Sequence, residues 1–254
     1  MFRWHESLLP VPHAEPGKLS WGVQWAVTDR YGGVSQGSFG ELNLGAGTKD
    51  DAGSVVSNRS LLAAEFGVKP HDLRFMRQQH GASIAHVQAG DNSAPECDAL
   101  ITDEPGVALA VLVADCTPVL LVDRVAGWAG ALHAGRAGMT KGLVTTCVQT
   151  LRERGAHHLQ ALVGPSICGR CYEVPEAMRA QASVHHGAAH TTSWAGTPAI
   201  DVAAGVAQQL HEARVPMTWL PGCTRESDDL YSHRRDPHTG RFAAVVRLIQ
   251  PERC

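Results

Sequence analysis

A thiol, Cys116, and two imidazoles, His80 and His133, each follow a segment of strand length and stand beside Gly or Pro. The segments are Leu73–Gln78 before Gln79-His80-Gly81, Val107–Val113 before Ala114-Asp115-Cys116-Thr117-Pro118, and Trp128–Leu132 before His133. Side chains at the ends of core strands are held by a rigid scaffold. Two imidazoles and a thiolate suit Zn²⁺, and three protein ligands leave the fourth tetrahedral position for water or substrate, the pattern of a catalytic rather than a structural site. The separations along the chain are long, so spacing alone does not bring the three together. The competing account is a buried thiol and two histidines bonded to turn backbone. Asp115, beside the thiol, would orient a ligand, move a proton or stabilise its own turn.

Other groups are less specific. Cys168-Gly-Arg-Cys171 is a CxxC, but no second CxxC exists, and the segment follows Gly164-Pro165 rather than opening a helix. Two free thiols are therefore expected over a redox pair or half a zinc knuckle. Gly135–Lys141 has the look of a phosphate loop, yet a Walker sequence needs Gly directly before the Lys, and Thr140 stands there. Arg59, Arg136, Arg234 and Arg235 are available to an anion, although each alone reads as a solvated surface residue. The pairs His157-His158 and His185-His186 read as surface groups.

The elements that would position these residues read as strands and helices without strict alternation. Residues 1–20, with Pro10, Pro12 and Pro16, read as irregular. Strands are expected at Trp21–Thr28, Leu73–Gln78, Ile84–Val87, Val107–Val113, Val119–Val122, Trp128–Leu132, Leu159–Val163 and Phe242–Ile249, with Pro118 bending or breaking the chain between the central two. Helices are expected at Ser54–Phe66 with Gly67 as the stop, from Thr140 as N-cap to about Arg154, and from Asp201 as N-cap to about Ala213. Residues 183–199 read as loop. This mixture points to a single α+β (mixed α/β) domain over residues 1–254, with mixed β-sheets flanked by helices rather than a Rossmann fold. The chain has 254 residues, 44% of them hydrophobic and 19% charged, which is an ordinary globular balance. Net charge is −3 with no block of like charges, so nothing points to nucleic acid or an anionic membrane. No apolar run approaches the roughly 20 residues that span a bilayer. Seven scattered cysteines and an N-terminus without an apolar leader point to reduced thiols in the cytoplasm.

Seven blocks occur in one order: GGVSQGSFGELNLG, NRSLLAAEFG, RQQHG, DALIT followed by PGVALAVLVADCTPVLLVD, LHAGRAG, VGPSICGRCYEV and YSHRRDPHTGRFA. From about Gly32 to Val246 the chain thereby resembles the bacterial proteins long called laccase-domain or multicopper polyphenol oxidases and now regarded as purine nucleoside phosphorylases. The resemblance implies a mixed α/β single domain of the laccase-domain, cysteine-hydrolase-like type. It implies Zn²⁺ on His80, Cys116 and His133, which with Asp115 form the expected catalytic set. It also implies phosphorolysis of adenosine, inosine, guanosine and methylthioadenosine, with adenosine deamination as a second activity. Ser35, Asn43 and Arg59 fall in matching blocks and, with Arg136, are the expected substrate-binding residues. The expected partners are a purine nucleoside and phosphate, and the expected state is a monomer. One departure stands out. The family commonly reads HAGWRG, whereas this chain has His133-Ala-Gly-Arg-Ala-Gly138, so Arg136 would have to reach an anion from one position earlier. The oxidase name fits poorly, because multicopper oxidases need HxH groups and the chain has none. Two other readings of the same zinc site are an amide hydrolase that edits peptidoglycan precursors and a non-catalytic zinc-binding partner protein.

Overall fold

Strands that are apolar at every position, rather than at alternate ones, must be covered on both faces. In the computed structural model, which describes residues 1–11, 20–91 and 93–250, they are. In chain order the elements are β1 (Phe2–Leu8), β2 (Gly22–Thr28), α1 (Ala52–Glu65), β3 (Leu73–Arg74), β4 (Ile84–His86), β5 (Ala99–Thr102), β6 (Ala108–Val113), β7 (Thr117–Asp123), β8 (Trp128–Ala134), α2 (Arg136–Thr140), α3 (Leu143–Glu153), β9 (Leu159–Val163), α4 (Glu176–Ser183), β10 (His190–Thr192), β11 (Pro198–Ile200), α5 (Val202–Glu212), β12 (Met217–Trp219) and β13 (Phe242–Ile249). Of the two large sheets, one has the order β1-β2-β13-β6-β3 and the other β12-β9-β7-β8-β5-β4; each mixes parallel and antiparallel pairs.

The two sheets pack face to face. Val23, Trp25, Leu109, Val111, Phe242 and Val246 of the first meet Leu100, Leu120, Val122, Ala131 and Leu162 of the second. Alternate residues point the other way. Ile101, Val119, Leu121 and Val163 are covered by Val144, Val148 and Leu151 of α3 and by Val206 and Leu210 of α5. Ala108, Ala110 and Val245 are covered by Leu62 of α1 and by Phe66, the residue that caps its C-terminal end. The result is a helix–sheet–sheet–helix sandwich, the mixed α+β architecture expected.

Several expectations need correction. Phe2–Leu8 is a strand, not irregular chain: it pairs antiparallel with β2 at the sheet edge, and its charged residues reflect that exposure. Pro12 and Pro16 lie outside the described residues. Pro118 does not break the chain; the interruption falls at residues 114–116, and Pro118 is the second residue of β7. It is tolerated because it stands at the very end of the ladder with β9, where its C=O still accepts the Gly164 N–H at 2.9 Å and regular pairing begins at Val119. The expected strand Leu73–Gln78 shrinks to two residues, beyond which the Gln78 carboxamide takes over the pairing. It bonds both the N–H and the C=O of Leu112, at 3.0 and 2.7 Å. Thr140 caps nothing. It ends the short α2, its hydroxyl bonded back to Arg136 C=O, and Gly142 starts α3. Residues 183–199, expected as loop, hold all but the last residue of the β10–β11 hairpin, and α4 and β12 were not anticipated. His186 is buried rather than on the surface. Among the described residues no helix is long and apolar enough to cross a membrane.

Burial on both faces has a direct consequence. Leu120→Ala, in the inter-sheet layer, and Leu121→Ala, under the helices, should each lower stability by about 2–5 kcal/mol. Urea unfolding of the two variants checks this, and a near-zero cost at either position would mean that face is not packed.

Candidate active site

Residues 114–116 carry the chain from the first sheet into the second, at an open end of the sandwich where a cavity of about 500 Å³ lies. The crossing turns through Asp115, whose φ of 107° is in the left-handed region. Such a conformation costs a non-glycine residue ~1–3 kcal/mol and must be held by its surroundings. Here the Asp115 carboxylate accepts from the hydroxyls of Thr224 and Ser232 and from the N–H of Arg234, all at 2.6 Å. Those partners are distant in sequence, so Asp115 is held by long-range bonds rather than by a local Asx turn. It pins the C-terminal loop that carries Arg234 onto the cleft.

The structure brings His80, Cys116 and His133 together, with one donor atom of each within 4.8 Å of the others. His133 is the penultimate residue of β8 and is 2% exposed, Cys116 is half-buried, and His80 faces solvent from a φ of 55°. The group that makes them meet is Asp98, fully buried just before β5. One of its oxygens lies 2.9 Å from His133 Nδ1 and accepts the His80 N–H at 2.9 Å; the other accepts from Gly81 N–H at 2.6 Å and Gln79 N–H at 3.2 Å. A single carboxylate thus fixes one histidine by its ring and the other by its backbone. With Nδ1 engaged, Nε2 of His133 is left to face the cluster, the arrangement of a carboxylate-oriented metal ligand. Gly135 leaves the trio its room: a Cβ there would stand 3.0 Å from Cys116 Sγ and 3.1 Å from His80 Cδ2.

The electrostatics follow from this packing. Burial pushes the Cys116 thiol up, but the charge and hydrogen bonds of His133 and His80 outweigh it and bring the pKa down to about 6. Burial likewise disfavours charge on His133, yet Cys116 and Asp98 together push it up to about 9. Burial also opposes ionisation of Asp98, and the His133 imidazole with the Gly81 and Gln79 N–H groups holds its pKa below the ordinary carboxylate range. A thiolate and two imidazoles, one oriented from behind by a carboxylate, fit a three-ligand Zn²⁺ site.

The cleft around the trio has two kinds of wall. Arg136, Arg234 and Arg241 supply positive charge, His233 adds an imidazole, and Tyr172, Ile167, Val202 and Leu112 supply apolar surface. The Arg234 guanidinium lies 4.9 Å from the Tyr172 ring centroid. Burial lowers the pKa of Arg241, and the nearby Cys116 and Asp115 partly restore it. Of the expected substrate-binding residues, Arg136 lines this cleft. Arg59 lines an adjoining hollow of about 400 Å³ that shares His80 and Arg241, with its guanidinium 3.9 Å from the Phe75 ring. Ser35 and Asn43 are buried away from the cleft: Ser35 Oγ donates to Asp50 at 2.6 Å, and Asn43 Nδ2 donates to Asp50 at 2.9 Å. Asn43 acts one step removed, its Oδ1 accepting the Arg241 N–H at 2.9 Å. Arg235 turns inward and bonds the carbonyls of Thr224, Ser227 and Leu230. Asp98, Tyr172, His233 and Arg241 were not singled out from sequence. The only signal for Asp98 is an acidic residue directly before an apolar run.

Over residues 24–249 the chain matches the family described as multi-copper polyphenol oxidoreductase laccase. It is 49% identical over 232 residues, covering 89% of this chain and 96% of the relative, to a Streptomyces coelicolor protein named purine nucleoside phosphorylase. It is 40% identical over 240 residues, 93% of this chain and 96% of the relative, to a Mycobacterium bovis protein of the same name. The crystal structure of a Bacillus licheniformis hypothetical protein, YfiH, superposes with a TM-score of 0.84 at 26% identity, covering 93% of this chain and 98% of that one.

Two measurements probe the site. Asp98→Asn should weaken the binding of a divalent metal at the trio about 10–100-fold in a chelator competition, because the histidines lose their orienting group. In chelator-treated protein, alkylation of Cys116 followed by peptide mass spectrometry should rise with pH through about 6 and level off above it. The sign follows from the lowered pKa, since the reactive thiolate is already formed at neutral pH. An inflection in the ordinary thiol range would refute the assigned electrostatics.

Proposed function

Because the chain belongs to the multi-copper polyphenol oxidoreductase laccase family, and relatives in that range of identity are named purine nucleoside phosphorylases, we propose that it phosphorolyses purine nucleosides at the His80–Cys116–His133 cleft, with Zn²⁺ on that trio. The observation that carries this reading is the convergence of three guanidinium groups, an aromatic ring and the His/Cys trio on one cavity. Its volume of about 500 Å³ is in the range that takes a small ligand. Two imidazoles and a thiolate can also hold copper, but a multicopper centre needs further histidine groups beside them. Among the described residues the potential ligand groups are this trio and one cysteine-rich cluster.

In phosphorolysis a phosphate oxygen forms a bond to C1′ of the ribose while the bond from C1′ to the purine breaks and the base leaves with the electron pair. Arg136 and Arg241 supply the charge-assisted hydrogen bonds that hold phosphate in place for that displacement. Tyr172, Ile167 and Val202 offer the apolar face on which a purine packs. Asp115 keeps Arg234 and its loop in position over the cleft, and is a positioning residue on this account. Zn²⁺, when bound, supplies a Lewis-acidic centre at the floor of the cleft. Adenosine deamination, with adenosine, inosine, guanosine and methylthioadenosine as phosphorolysis substrates, completes the reading. The free thiols at Cys97, Cys116, Cys147, Cys168, Cys171 and Cys223 suit a reducing compartment such as the cytoplasm.

Product analysis with adenosine, with and without phosphate, tests it. Adenine and ribose-1-phosphate that form only with phosphate are the expected outcome, and inosine in both samples would reveal the deamination. Adenosine left intact by zinc-loaded protein would overturn the nucleoside reading. Arg136→Ala should raise the KM for phosphate about tenfold or more, since a hydrogen bond to a charged group contributes ~1.5–3 kcal/mol, and should move the KM for nucleoside less. An unchanged phosphate KM would remove Arg136 from the anion site.

A further inference from the structure

Cys168-Gly-Arg-Cys171 does not stand alone once the chain is folded. The fold lays it against Cys223-Thr-Arg-Glu226, a second pair of potential ligands at the same three-residue spacing. The donor atoms of Cys168, Cys171, Cys223 and Glu226 all lie within 4.8 Å of one another. Both segments make the same turn. In the first, the Cys168 C=O accepts the N–H groups of Cys171 and Tyr172 at 3.0 and 3.1 Å; in the second, the Cys223 C=O accepts those of Glu226 and Ser227 at 3.1 and 2.9 Å. A parallel bridge between Ser166 and Cys223 sets the two side by side.

We propose that these paired turns form a second, structural Zn²⁺ site, with Cys168, Cys171, Cys223 and the Glu226 carboxylate as its four ligands. Three thiolates and one carboxylate complete a tetrahedron, so no position is left open for substrate. A tetrahedral ion with Zn–S of ~2.3 Å needs sulfur atoms about 3.8 Å apart, a spacing inside the 4.8 Å within which all four donor atoms fall. The surroundings already provide the outer hydrogen bonds such a site uses. The Cys168 N–H points to Cys223 Sγ at 3.4 Å, and Trp194 Nε1 donates to the same Glu226 oxygen that accepts from Cys171, at 3.2 and 3.1 Å. Gly169 is required inside the first turn, because a Cβ there would stand 2.7 Å from both Asp201 Cβ and Thr191 Cγ2. Binding moves no electrons: the cation replaces three thiol protons, which pass to solvent.

The site staples two loops that the fold otherwise joins weakly. One leads directly into Tyr172, on the cleft wall, and the other carries Thr224, which bonds Asp115. The ion takes no part in the reaction, and its presence does not depend on which reaction the cleft performs.

Metal counting decides the matter. The full-length protein, purified under reducing conditions from zinc-supplemented cells, should carry two zinc ions per chain by native mass spectrometry and elemental analysis. Cys116→Ala and Cys168→Ser should each retain one, and the double variant none. Cobalt-substituted Cys116→Ala protein should keep an intense sulfur-to-metal charge-transfer band, since three thiolates remain. Glu226→Gln, at an exposed ligand, tests the cluster without disturbing the core and should lose this zinc at lower chelator concentration than the parent. One zinc in the wild-type chain, lost entirely with Cys116→Ala, would overturn the proposal. So would a disulfide among Cys168, Cys171 and Cys223 in protein prepared without oxygen, or an unchanged count in Cys168→Ser.

Discussion

The site depends on one buried carboxylate. Asp98 is out of contact with water, and an ionised carboxylate in that position is tolerated only when its oxygens are fully engaged. Its partners are three consecutive backbone N–H groups, from Gln79 to Gly81, and the imidazole of His133. Each partner is therefore held by the need to keep that charge satisfied. The segment after β3 has almost no ladder of its own, and the clasp on Asp98 together with the Gln78–Leu112 pairing is what gives His80 a defined place. The same carboxylate sets the ring of His133, and the two histidines in turn set the ionisation of Cys116.

A second constraint comes from the architecture. Two sheets packed face to face need a connection that leaves one and enters the other, and residues 114–116 are such a connection. At the end of the sandwich the inter-sheet layer runs out, so the crossing opens onto a cavity instead of more core. The backbone strain at Asp115 and the three short bonds to its carboxylate belong together: the bonds hold the strained turn, and the turn holds the loop that bears Arg234. The His/Cys trio, the cationic wall and the structural ties thus come from segments far apart in the chain, without any one element carrying them all.

The cysteine-rich cluster applies the same logic further from the cleft. Two irregular segments have little apolar surface to hold them together, with only Ile167, Cys171 and Cys223 buried between them. A metal ion is an economical way to join such loops, because four ligand bonds replace a hydrophobic core that the segments are too short to build. Through Tyr172 on one side and Thr224 on the other, that junction and the Asp115 tie share the work of shaping the cleft wall.

The strands and helices with continuous apolar runs were legible in the sequence, because burial on both faces writes itself as composition: Leu159–Val163 and Phe242–Ile249 were read to the residue. Cap residues such as Asp201 were legible for a similar local reason, the side chain accepting the N–H of Ala204 three positions on. The types of His80, Cys116 and His133 named a chemistry, and the motif blocks around them named a family. Their convergence, however, is set by Asp98, whose partners are spread over the chain and leave no periodic trace. The edge strand Phe2–Leu8, the inward-turned Ser35 and Asn43, and the meeting of Cys223 with the CxxC were equally invisible. Each is defined by a neighbour far away in sequence, and a neighbour of that kind exists only once the sheets have paired and packed. What the sequence determined by itself was therefore which segments must be buried and which atoms could bind a metal; which of those atoms share a site was decided by the tertiary structure alone, because long-range hydrogen bonds and sheet crossings place side chains that no local rule relates.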